Sequence, residues 1–233
     1  MTENVIERIE RELRSMADEP YRAFHARLIP TVAPGRIIGV RTPQLRRYAR
    51  ELSRDDAMSE RFLAELPHRY YEEYNLHGEL VTRRTKEIGR LIAELDRLLP
   101  YVDNWATCDM ISPKLFSRYP VQAEAAIVRW LRSGHTYTVR FAVVSLLGFF
   151  LDEHFRAEHL DWICGLKSDE YYVRMAVAWY ISVALVKQWD AAIGVLRCGC
   201  LDREVHNKAI QKAVESCRIS DERKDLLRSL RRR

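Results

Sequence analysis

Residues 138–143 read TVRFAV, and 34 positions further on residues 172–177 read YVRMAV. Each follows a polar turn, Ser133-Gly134-His135 in the first case and Ser168-Asp169-Glu170 in the second. Another 34 residues reaches Asn207-Lys208-Ala209-Ile210, after Asp202-Arg203-Glu204. A repeat of this length fits one helix pair per unit. Such a pair cannot bury both of its faces alone, so it stacks on its neighbours, and the equivalent face of each repeat lines one concave surface. Arg140, Arg174 and Lys208 fall at this interval near the start of successive helices. They form either a basic ladder across that surface or a set of ion pairs with acids of the neighbouring repeat.

The helical period extends outward from this core. Val5, Ile9, Leu13 and Met16 make one apolar stripe; Leu45, Tyr48, Ala49 and Leu52 make another. Ile88, Leu91, Ile92, Leu95, Leu98 and Leu99 make a third. Recurrence at i, i+3, i+4 and i+7 is the pattern of amphipathic helices, and no run alternates with the period of a strand. Thr42-Pro43 and Ser112-Pro113 are helix-start signals, a hydroxyl cap followed by a proline in the first turn. The nine glycines and eight prolines are sparse. The expectation is an all-α chain, a HEAT-like repeat α-superhelix (an ARM-type solenoid) with a concave cleft, forming a single domain over residues 1–233.

With 47% hydrophobic and 30% charged residues the balance is that of an ordinary soluble protein. No segment approaches the roughly 20 apolar residues of a membrane helix. The opening MTENVIERIERELRSM lacks the apolar region of a secretory signal. A cytoplasmic monomer with no membrane association is expected. The five cysteines are odd in number and scattered, and free thiols are expected. The net charge is +5 and unevenly spread: residues 1–50 and residues 201–233 each carry ten Lys/Arg against six Asp/Glu, so the middle is acidic. Basic ends suit a polyanionic backbone that touches both; they suit solvated helix faces equally.

No phosphate-loop, dinucleotide, zinc-protease or serine-hydrolase motif is present. The seven histidines show no metal-ligand spacing, and neither metal nor cofactor is assigned. Three features remain. In DNWATCDM, residues 103–110, Trp105 and Asp109 lie four apart and share a face if the segment is helical. This is either an indole floor beside a carboxylate or a core Trp beside a capping acid. Arg140 opens the apolar run VRFAVVSLLGFFL and suits a bidentate phosphate contact or an inter-helix salt bridge. Trp179 sits in the most apolar segment, where core packing is the default. In the basic stretch DERKDLLRSLRRR, Arg228, Arg231, Arg232 and Arg233 either reach phosphates or fray into solvent.

Taken together, IIGVRTPQLRRYAREL (37–52), DNWATCDMISPKLF (103–116), YTVRFAVVSLL (137–147), DEYYVRMAVAWYISVALVKQWD (169–190) and HNKAIQKAVES (206–216) resemble the AlkD-type DNA alkylation repair proteins over nearly the whole chain. That resemblance implies a HEAT-like superhelix that hydrolyses the N-glycosidic bond of cationic alkylpurines, chiefly 3-methyladenine and 7-methylguanine, in duplex DNA without a cofactor. It places the catalytic cleft at Trp105, Asp109 and Trp179 and a phosphate contact at Arg140. Arg174, Lys208 and Lys212 complete the expected DNA-binding set. One departure is visible. The family's N-terminal helix runs almost directly into its G-[IV]-x-TP turn, whereas Pro30, Pro34 and Gly35 interrupt the corresponding stretch here, so no continuous helix up to Gly39 is expected. The alternative function is a scaffold that holds DNA or a protein on the same face and breaks no bond.

Overall fold

A computed structural model describes residues 4–233 and is all-helical, with fifteen α-helices and no strand among the described residues. Packing separates two compact units, the first running through Leu115 and the second spanning Phe116–Arg233.

The first unit contains α1 (Val5–Ser15), α2 (Glu19–Leu28), α3 (Thr42–Leu52), α4 (Asp56–Ala64), α5 (Tyr71–Arg84), α6 (Ile88–Leu98) and α7 (Trp105–Met110). The three apolar stripes account for α1, α3 and α6: Ile9 and Leu13, then Leu45, Ala49 and Leu52, then Leu91, Leu95 and Leu98 are their buried residues. Proline sits in the first turn of α3, where its missing N–H costs no hydrogen bond.

Helix α5 is different in kind. Every residue from Tyr71 to Val81 is buried, although the stretch carries three glutamates, an asparagine and a histidine. Each of these five polar side chains has at least one partner, although His77 Nε2 is left without one. Glu72 accepts from the main-chain N–H of Ile38, Gly39 and Val40 at 2.9, 2.7 and 3.3 Å. Glu73 accepts from Arg69 and Tyr70 at the start of its own helix. Asn75 accepts from Thr107, His77 pairs with His68, and Glu79 holds Arg46 and Arg83. Such pairing offsets the cost of taking these groups out of water. Gly39 has φ of +97°, and a Cβ there would stand 2.7 Å from Cβ of Arg22, so the turn over Glu72 requires glycine.

The stretch between α2 and α3 behaves as its prolines demand. Helix α2 stops at Leu28, and a single 3-10 turn, Pro34–Arg36, interrupts the extended chain before α3. Ile29, Val32 and Ile37 from this stretch are buried with Tyr71, and Trp105 packs against them.

After α8 (Leu115–Arg118), the second unit contains α9 (Pro120–Leu131), α10 (Thr136–Phe149), α11 (Ala157–Gly165), α12 (Tyr171–Lys187), α13 (Trp189–Cys198), α14 (Arg203–Val214) and α15 (Asp221–Ser229). The 34-residue repeat is realised here. Helices α10, α12 and α14 pack in sequence as one layer, and α11 packs on α13 in another. The free-thiol expectation fails at one pair. That second layer brings the end of α11 beside the turn after α13, and Cys164 and Cys200 form a disulfide with Cα atoms 5.5 Å apart. Cys108, Cys198 and Cys217 are free.

Candidate functional site

The DNWATCDM stretch forms the six-residue helix α7, so Trp105 and Asp109 do share a helix at i, i+4. Both are half-buried. A helix this short has little intrinsic stability and needs external fixing. Three contacts supply it. Asn104 is the N-cap, its Oδ1 accepting from the Thr107 N–H at 2.8 Å. Its Nδ2 donates to Thr107 Oγ1 at 3.0 Å, and that hydroxyl donates onward to Asn75 Oδ1 on α5 at 2.7 Å. Asn104 and Thr107 are fully buried, so this chain of bonds is shielded from water. At the other end Ile111 lies over Gly78 of α5, where a Cβ would come within 2.6 Å of the Ile111 side chain.

The proline-interrupted stretch provides the third fixing. Arg36 pairs with Asp103 at 2.5 Å and donates to the Arg69 carbonyl at 3.1 Å. The indole Nε1 of Trp105 donates to the Leu28 carbonyl at 2.9 Å. Behind it, His25 and Tyr71 share a 2.9 Å hydrogen bond; burial pushes the His25 imidazole down and the Tyr71 phenol up, so both stay neutral.

In the second unit Arg140 lies in α10 and is only 6% exposed; its Nη1 donates to the Tyr172 carbonyl of α12 at 2.8 Å. Arg174, one repeat on, pairs with Glu204 of α14 at 2.6 Å. Thus each reaches into the following repeat. Lys208 and Lys212 are half-buried on α14, and Lys208 donates to Gln211 at 3.0 Å. Trp179 is half-buried on α12, and its carbonyl accepts from Ser182. Trp105 and Asp109 are thus brought together on one short helix, and Arg140, Arg174, Trp179, Lys208 and Lys212 on three adjacent helices of one layer.

The model of a family described as DNA alkylation repair enzyme matches residues 9–185. The chain belongs to that family. No curated protein matches it. The matched span of this DNA alkylation repair protein includes Trp105, Asp109, Arg140, Arg174 and Trp179, while Lys208 and Lys212 lie beyond it. Membership of a DNA repair family points to DNA as a partner, and no described helix is long and apolar enough to cross a membrane. Among the described residues no group of three or more His, Cys, Asp or Glu is arranged to hold a metal ion.

Sequence reasoning missed Arg36, Asn75, Asn104 and Thr107, the residues that hold α7. One signal was available: Asn immediately before the first helical residue is a preferred N-cap.

Proposed function

We propose that this DNA alkylation repair protein is a glycosylase that hydrolyses the N-glycosidic bond of cationic alkylpurines, 3-methyladenine and 7-methylguanine, in duplex DNA. The observation that carries the reading is the joint placement of an indole and a carboxylate on one rigidly held helical turn, α7, within a chain of this family. An N3- or N7-alkylated purine is already a cationic leaving group and needs no general acid. The reaction instead requires stabilisation of positive charge building on the sugar, together with a water directed at its anomeric carbon. The Asp109 carboxylate is suited to both roles. An indole face, such as Trp105 offers in the first unit and Trp179 in the second, attracts a cationic group by cation–π interaction worth about 0.5–2 kcal/mol. Arg140, Arg174, Lys208 and Lys212 contact the phosphate backbone. No cofactor enters this chemistry.

The test is release of methylpurine from methylated duplex DNA by the purified protein. Asp109→Asn is expected to slow release at least about tenfold, with circular dichroism checking that the variant folds. Methylated DNA left intact over hours by stoichiometric protein overturns the reading.

The second reading, a scaffold that binds without excision, is favoured by Arg140. Its guanidinium is nearly enclosed and holds the Tyr172 carbonyl, as a structural strut would. Binding of unmodified DNA with no base release is its signature.

A further inference from the structure

In the second unit a cavity of about 690 Å³ opens where α12 and α14 begin beside residues 231–233. Six of its lining side chains are cations: Arg174, Arg203, Lys208, Arg231, Arg232 and Arg233. The acids are Asp169 and Glu204, and Glu204 is engaged by Arg174. Among the described residues Arg203, Arg231 and Arg233 have neither an ion pair nor a side-chain hydrogen bond. An excess of six cations over two acids is costly unless an anion joins them.

The segment that brings the arginines there is tied down. Asn207 exchanges two hydrogen bonds with the Arg232 main chain, at 2.8 and 3.0 Å, and His206 bonds the Leu230 carbonyl at 2.8 Å. The Arg232 side chain in turn donates to the carbonyls of Gly199 and Leu201. The first turns of α12 and α14 both line the cavity, and neither helix has a side-chain N-cap bond. Their leading N–H groups therefore add to the positive field. Tyr171, the first residue of α12, lines the same cavity, is 64% exposed and packs edge-on against Tyr172 at 5.2 Å. An exposed, oriented aromatic ring beside a cluster of cations is the pairing that single nucleotides use: phosphate to the cations, base on the ring. The volume fits a ligand of that size.

We propose that this cavity binds one unstacked nucleotide, with its phosphate held by Arg203, Arg231 and Arg233 and its base stacked on Tyr171. The proposal rests on the reading of Arg174 and Lys208 as nucleic-acid contacts and is independent of excision at Asp109. Its source is either a nucleotide within a single strand or a free mononucleotide.

Binding of a short unmodified single strand, its duplex and dAMP separates these sources. Tyr171→Ala and Arg203→Glu alter exposed side chains, and circular dichroism checks that both variants fold. Each is expected to weaken single-strand binding at least about fivefold, the lower end of the loss of one base–aromatic stack, with Tyr171→Phe restoring it. Binding of dAMP with the same sensitivity assigns the site to free nucleotides; binding of the strand alone assigns it to DNA. Single-strand affinity unchanged in both variants overturns the site even where duplex affinity persists. Loss in Arg203→Glu with none in Tyr171→Ala also overturns it, because the cavity is then a general polyanion surface. Wild-type protein that binds duplex but neither single strand nor dAMP refutes this site alone. Protein that binds none of the three refutes the nucleic-acid reading as well.

Discussion

The Trp105 indole N–H meets the Leu28 carbonyl across 77 residues of sequence. Leu28 is the last residue of α2, so this carbonyl is one of those a helix leaves without an internal partner. The interruption by Pro30 and Pro34 thus has a structural consequence: it ends α2 where its terminal carbonyl holds the indole, and folds the following residues against it.

Trp105→Phe keeps an aromatic ring and removes the donor. It is expected to lower stability by about 1 kcal/mol, the net worth of one such bond, as read by urea unfolding. If the proposed site is correct, excision falls further than stability does, because an unanchored ring no longer presents one face. An excision rate equal to that of the parent protein removes Trp105 from the site.

Thr107 joins Asn104 to Asn75 through one hydroxyl. Thr107→Val is nearly isosteric and leaves the buried Asn75 amide oxygen and one N–H of the Asn104 amide, whose other N–H still meets Asp103, without that hydroxyl. Each stranded group costs about 1–3 kcal/mol, so the variant is expected to lose more stability than Trp105→Phe. Thr107→Ser, which restores the hydroxyl, should recover most of it. Equal unfolding midpoints for the valine and serine variants would show that the network does not fix α7.

The repeat and the apolar stripes were legible because α1, α3, α6 and the layer α10, α12, α14 bury their apolar residues at helical spacing. Helix α5 was not, because its buried faces carry Glu72, Glu73, Asn75, His77 and Glu79, which a hydrophobicity pattern assigns to solvent. Their partners lie far off in sequence; Glu72, for example, binds main-chain groups 32–34 residues away. The same limit applies to the candidate site. The spacing of Trp105 and Asp109 foretold a shared helical face, but nothing local foretold that the Leu28 carbonyl takes the indole proton. The Cys164–Cys200 pair was missed for the related reason that only the packing of α11 on α13 brings the two together.

His68 and His77 pair at 2.8 Å inside the first unit, and His68 stacks on Phe62 with ring centres 4.6 Å apart. Burial pushes the His68 imidazole down to about 4 and that of His77 well below its usual range, the latter also through its neighbours His68 and Arg97. Both are therefore neutral in the folded protein at pH 6, while the unfolded chain takes up protons below about 6.5. The unfolded state binds more protons between about pH 6.5 and pH 4, so this pair's contribution to stability is intact above that window and is lost as pH falls through it. Buried Glu72 and Glu73 shift upward through desolvation and act in the opposite sense, with stability falling as pH rises. Comparison with His68→Phe cancels the carboxylates. The variant should gain on the parent protein as pH is lowered from 6.5 to 4, measured by thermal unfolding at each pH. A constant difference across that range would show that His68 titrates normally.

Arg140 has two readings, a phosphate contact and an inter-repeat strut. Its Nη1 supports the Tyr172 carbonyl of the next helix in the layer, and a side chain 6% exposed has little surface left to offer a phosphate. Removing it should destabilise the second unit, since truncation of a buried charged donor strands its acceptor and opens a void. Arg140→Ala is therefore expected to lower the unfolding midpoint whichever reading holds. DNA binding distinguishes them, provided it is measured well below that midpoint. As a phosphate contact, Arg140 contributes about one unit to the slope of log affinity against log salt, and the alanine variant loses that unit. As an inter-repeat strut it contributes nothing to the slope, and affinity falls only in proportion to the protein that has unfolded. Arg140→Lys sharpens the comparison. It keeps the charge, so the slope survives, but it lacks the planar fork that meets a carbonyl at a fixed angle, so stability falls. A lysine variant with wild-type stability and a reduced salt slope would contradict both readings.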